Sequence, residues 1–147
     1  MLRSDRSLAG FVVLLVMAFV APGGVSRGAA VEPADPIDGR WNWWFDYTPG
    51  LIVQVEANLV RKGNTLTGKL SWGSEKKREA EVLDGKIDGR KISFTIKWKG
   101  IGDVTDIYSG ELVNGEIKGT IQRSITRSGQ TQRHDFPWDG VHIKAAD

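Results

Sequence analysis

The chain contains no cysteine. That absence excludes a disulfide scaffold, a zinc knuckle and a thiol nucleophile. Histidine is nearly absent too, with only His134 and His142. No third histidine completes a metal set, so the two read as a solvated pair rather than a zinc site. No segment after residue 38 carries a helical period, so no glycine-rich phosphate loop has a helix to precede. A charge excess of one sign is also missing. The formal charge of +2 includes Arg3, Arg6, Arg27 and Asp5, and the residues after 30 hold 17 basic and 17 acidic side chains. A domain of zero net charge has no bulk attraction for nucleic acid or anionic lipid. At 147 residues the chain is expected to form one domain.

Long apolar runs are absent except at the start. Leu8–Ala21 is a 14-residue, almost wholly apolar stretch behind Arg3 and Arg6. Pro22, Gly23 and Gly24 follow it, and Gly28-Ala29-Ala30 supplies small residues for a peptidase cutting before Val31. A spanning helix needs about 20 apolar residues, so residues 1–30 read as a cleaved secretory signal peptide. No cysteine follows for lipoprotein attachment, and the two early arginines are not adjacent. The mature protein is expected to be secreted or periplasmic, and to draw its stability from a core. Residues 31–38, with Pro33 and Pro36, read as a disordered lead-in, and 39–144 as the folded domain.

Within that domain the pattern has period two. Trp41, Trp43, Phe45 and Tyr47 alternate with Asn42, Trp44 and Asp46. Equivalent runs carry Val53–Leu59, Leu66–Trp72, Ala80–Ile87, Ile92–Trp98, Val104–Leu112, Ile117–Ile121 and Gln132–Ile143. Turn residues separate them, among them Pro49-Gly50, Gly63-Asn64, Asn114-Gly115 and Ser128-Gly129. Alternation gives each strand one buried and one wet face. Short connections favour antiparallel neighbours, and eight such strands avoid open edges by closing on themselves. The expected fold is an all-β, eight-stranded, antiparallel up-and-down barrel. Gly68, Gly110 and Gly119 fall on the apolar face in mid-strand. Such glycines suit a strongly curved sheet or a bulky neighbour needing space. The related strings Gly63–Gly68, Asp84–Gly89 and Asn114–Gly119 read as hairpin grammar.

Six tryptophans are a heavy load for this length. Parity turns Trp41, Trp43, Trp72, Trp98 and Trp138 inward. They line a pocket for a small apolar or planar ligand, or they are simply the core, since an eight-stranded barrel is just wide enough for side chains to fill. Trp44 points outward, free of any required role or available to a partner, a membrane surface or a glycan. Asp106 is the one acid on the apolar face, where it needs a partner or has its pKa raised by burial. No serine sits in a nucleophile-elbow context. The run Glu75–Glu79 mixes charge signs and reads as a solvated loop. Arg123, Arg127 and Arg133 cluster near the last hairpin as a weak anion patch.

Several short strings carry a resemblance. Gly39-Arg40-Trp41 is similar to the Gly-x-Trp entry of the calycins, the barrels that include lipocalins and avidins. Leu66-Thr67-Gly68, Phe94–Lys99, Tyr108-Ser109-Gly110 and His134-Asp135 resemble avidin segments in the same order. The resemblance implies that Trp41 closes one barrel end beneath a basic residue of the last strand, with Arg133 the candidate. It also implies Trp98, Tyr108 and Asp135 at a ligand. The chain departs from that pattern with Leu70 and Trp72 on the third strand, and with Val104 and Asp106 where small hydroxyls are expected. A buried urea-like group would leave several hydrogen bonds unmade, at about 1–3 kcal/mol each, so tight biotin binding is not expected.

The sequence thus predicts a non-catalytic secreted barrel that binds a small hydrophobic or aromatic ligand in its interior. Trp43, Trp72, Trp98, Tyr108 and Trp138 would line the cavity, with Asp106 or Asp135 at its mouth and Gly39, Trp41 and Arg133 as structural residues. The alternative is an envelope scaffold with a filled core that uses its outer face and loops. A third reading, hydrolase or isomerase chemistry at Asp106, requires a second titratable group beside it. No cofactor, metal, nucleic acid or membrane contact after signal cleavage is expected.

Overall fold

A computed structural model describes residues 36–48 and 50–144. The expected signal peptide, residues 1–30, and lead-in residues 31–35 lie outside them. Among the described residues there are nine strands and no helix. They are β1 (Gly39–Thr48), β2 (Leu51–Lys62), β3 (Thr65–Trp72), β4 (Arg78–Glu81), β5 (Leu83–Asp88), β6 (Lys91–Lys99), β7 (Asp103–Val113), β8 (Glu116–Arg127) and β9 (Gln130–Ile143).

Neighbouring strands pair antiparallel around the sheet, and β2 also pairs with β3, so the sheet returns to its start. Eight strands close the barrel. The ninth, β4, is an addition that pairs with β3 and is separated from β5 by Val82 alone. The expected barrel therefore stands, with its fourth strand broken in two. At the break Val82 N–H donates to the Gly68 carbonyl, and within β5 Ile87 N–H donates to the Asn64 carbonyl, both outside the regular ladder. The closing seam between β1 and β9 is short: Arg40, Trp41 and Asn42 face Ile143, His142 and Val141. Pairing between β7 and β8 instead runs unbroken from Asp103 opposite Thr126 to Val113 opposite Glu116.

Alternation is realised as burial. Trp41, Trp43 and Phe45 of β1, Val55, Ala57 and Leu59 of β2, and Ile92, Phe94 and Ile96 of β6 are all buried. The inward glycines explain how so many rings fit. A Cβ on Gly119 would run into the Ser109 carbonyl oxygen across the β7–β8 ladder. One on Gly110 would sit 3.0 Å from the Trp138 ring. These glycines let backbones close up and leave room for the indole, as a tightly curved sheet requires.

The lead-in is not wholly outside the domain. Ile37 is buried, and its carbonyl accepts a 2.8 Å hydrogen bond from the Trp41 indole. Asp38 Oδ1 accepts from the Arg61 backbone N–H at 2.6 Å. Ile37 and Asp38 thus stop one end of the barrel.

Candidate functional site

The barrel's centre is a cluster of aromatic rings. Phe94 and Tyr108 are cross-strand partners on β6 and β7, and their rings stack with centroids 4.5 Å apart. Trp138 of β9 meets Tyr108 at 5.1 Å and Phe94 at 5.5 Å, edge to face. Trp43 of β1 meets Tyr108 and Trp138 at 5.7 Å each, again edge to face. These are contact distances for aromatic pairs, so the four rings occupy the interior against one another. The tryptophans and Tyr108 predicted to share the inner face do share it. They are brought together as packing.

The next group along the barrel is polar. Asp106 and Arg123 are cross-strand partners on β7 and β8, 1% and 2% exposed. Arg123 donates from Nε to Asp106 Oδ1 at 2.7 Å and from a terminal nitrogen to Oδ2 at 2.9 Å. The Trp98 indole N–H donates to the same Oδ2 at 3.0 Å. Three aromatic faces surround the guanidinium: Phe45 at 4.5 Å, Phe136 at 5.2 Å and Trp98 at 5.3 Å. A bidentate pair with a third donor and cation–π contacts is how a buried charge pair offsets its desolvation. The partner that Asp106 needed is therefore Arg123, not a ligand at a mouth. Arg123 was read from sequence as part of a loop cluster. Its parity, two residues after Ile121 and four after Gly119, is the signal that places it inward.

Tyr108 lies beside this pair. Burial, reinforced by the Asp106 carboxylate, pushes its phenol well above the ordinary value, and Arg123 offsets part of the effect. Beyond the pair, Trp98 packs edge-on to Trp72 at 5.3 Å and against Tyr47 at 5.7 Å, while the Arg78 guanidinium lies 5.8 Å from the Trp98 ring. These side chains stop the second end. Among the described buried side chains, the indole N–H groups of Trp43, Trp72 and Trp138 have no hydrogen-bond partner.

Two predicted residues lie elsewhere. Asp135 is exposed on the outer face, where it pairs with Gln122 and lines an outer groove of about 530 Å³ with Arg133 and His134. Parity opposite to Phe136 and Trp138 puts it there. Arg133 does not cover Trp41. It faces Ser124 near the start of β9, whereas Trp41 faces His142, nine residues further along. At about 3.3 Å per residue that is roughly 30 Å of strand. The cover over Trp41 is Ile37 with the His142 ring, 4.8 Å from the indole. Gly39 packs against the same imidazole, whose Nε2 lies 3.1 Å from the Asp38 carbonyl oxygen. The two histidines sit far apart on β9, and no group of three metal-ligating side chains occurs among the described residues.

The outer surface carries a different feature. Trp44, cross-strand from Gln54, forms one wall of a groove of about 470 Å³ with Leu51, Ile52, Glu56, Ser71 and Lys77. Grooves of similar volume lie elsewhere on the outer surface, and this one differs in its exposed apolar side chains. Trp44, Leu51 and Ile52 are all more than half exposed. The sequence marked Trp44 as outward but gave no sign that the next hairpin places Leu51 and Ile52 beside it.

The barrel is compatible with a calycin-like architecture. The chain matches no family model, no curated protein and no solved structure.

Proposed function

We propose that this domain is a non-catalytic binding module of the extracytoplasmic space that meets its partner with its outer surface, at the groove walled by Trp44. One observation carries the reading: the rings of Trp43, Phe94, Tyr108 and Trp138 pack on one another in the interior, while exposed Trp44, Leu51 and Ile52 line a groove on the outside. The signal-like N-terminus supports a secreted or periplasmic site of action. The Asp106 carboxylate is held by Arg123 and Trp98, and this engagement supports a binding role over catalysis.

The interior-ligand reading keeps one point of support, the partnerless indole N–H groups of Trp43, Trp72 and Trp138. Each of these indoles has an edge-to-face aromatic neighbour, and an aromatic face is itself a weak acceptor, so the groups do not by themselves call for a ligand.

The test is adsorption of the domain to separated lipid vesicles, polysaccharide and protein fractions of a cell envelope. Trp44→Ala and Ile52→Ser are compared with the unaltered chain. Retention on one fraction that both substitutions reduce at least tenfold supports the reading. Retention unaffected by either, or displacement by small apolar ligands that quench the buried tryptophans, overturns it.

A further inference from the structure

The two ends of the barrel differ. At the end stopped by Ile37 the connections are Gly63-Asn64, Gly89-Arg90 and Asn114-Gly115, with no apolar side chain. At the opposite end lie the β1–β2, β3–β4, β6–β7 and β8–β9 connections. The four most exposed large apolar side chains described are Ile52 (61%), Trp44 (59%), Ile101 (56%) and Leu51 (51%). Leu51, Ile52 and Ile101 sit at this end, and Trp44 shares the groove of Leu51 and Ile52. The β6–β7 turn reaches towards β1 there, since a Cβ on Gly100 would lie 3.2 Å from the Tyr47 hydroxyl. The connections and strand ends here carry exposed Lys76, Lys77, Lys99 and Arg127, against Glu75 and Asp103. Lys99 and Asp103 pair with each other at 3.4 Å. The balance of charge at this end is positive although the domain as a whole is neutral.

We infer that this end docks on an anionic lipid surface. The inference rests on the outer-surface reading above and names its partner. Leu51, Ile52 and Ile101 enter the boundary between headgroups and acyl chains, Trp44 lies at headgroup level, and Lys76 and Lys77 meet headgroup phosphates. One observation favours lipid over other partners. Leu51, Ile52 and Ile101 at the tips are aliphatic, with nothing to offer the hydroxyls of a sugar, and the cations flanking them complement lipid phosphate. The inference departs from the sequence expectation of no membrane contact, because overall neutrality hides this local segregation.

The experiment is cosedimentation of the chain from Val31 onward with vesicles of phosphatidylcholine, and of phosphatidylcholine mixed equally with phosphatidylglycerol. Circular dichroism checks that each variant retains its strands. The mixed vesicles are expected to bind the domain, with affinity falling as salt is raised. Lys76→Glu and Lys77→Glu should each weaken binding about fivefold or more. Ile52→Ser and Ile101→Ser should weaken it at every salt concentration, and Trp44→Phe should abolish the blue shift of tryptophan emission on binding. Equal binding to both vesicle types, indifference to these substitutions, or no vesicle binding overturns the inference. Trp44-dependent retention on a neutral polysaccharide without vesicle binding overturns the lipid assignment and leaves the outer-surface reading standing. Retention on neither overturns both.

Discussion

The buried charge pair of Asp106 and Arg123 is the residue on which the interior is most sensitive. Removing one member leaves the other desolvated and unpaired, and for such pairs that costs about 3–5 kcal/mol. Asp106→Ala should therefore lower stability by about that amount in urea denaturation, whereas joint replacement of both by leucines should cost much less. Tyr108 gives a second residue-level outcome. Its phenol ionises in the unfolded chain near pH 10 but stays protonated at higher pH in the folded barrel, because burial and Asp106 raise it. The unfolded state then binds fewer protons above pH 10, and stability falls with rising pH by up to about 1.4 kcal/mol per pH unit. Tyr108→Phe should remove that part of the slope, as read from unfolding free energies measured on either side of pH 10. Parity made Asp106 legible as an inward acid. Its partner was hidden because Arg123 lies on another strand, and cross-strand register is not written in either segment. The resemblance to avidins misplaced Asp135 and Arg133 for the same reason: matched strings fix order along the chain, not facing or register.

Strands were legible as elements because their alternation is regular and their turns are chemically marked. Asn114 with positive φ and Gly115 beside it form the turn that its sequence announces. The fourth strand was not fully legible. Ala80 and Ile87 are seven apart, so an unbroken strand would place them on opposite faces, yet both are buried. The interruption at Val82 resolves that conflict. Mid-strand glycines were read as signs of curvature, and the β7–β8 ladder shows their physical basis. Gly119→Ala would force its methyl into the Ser109 carbonyl, at a cost of about 1–3 kcal/mol, the scale of overpacking in well-filled interiors. Its checks are the thermal midpoint and amide exchange along β7 and β8, which should accelerate together. An exposed turn glycine such as Gly63 meets no neighbour, but its positive φ makes its substitution a local strain and not a ladder defect.

For the whole molecule, closure and filling decide what kind of recognition is available. Under the proposed outer-surface reading, ring packing in the interior and stopped ends leave the outside for recognition, and the four most exposed of the nine exposed large apolar side chains described, gathered towards one end, give that surface a direction. The closed barrel followed from hairpin spacing in the sequence. Whether its interior was a pocket or a packed core did not, because a row of inward tryptophans serves either until the rings are placed in three dimensions. The direct measurement is hydrogen exchange of the six indole N–H groups in the folded domain. The Trp44 indole should exchange at the rate of a solvent-exposed group, while those of Trp41, Trp43 and Trp138 exchange only on global unfolding and keep their resonances when small apolar ligands are added. Rapid exchange of the Trp43 and Trp138 indoles, or their displacement by an apolar ligand, would contradict a filled barrel.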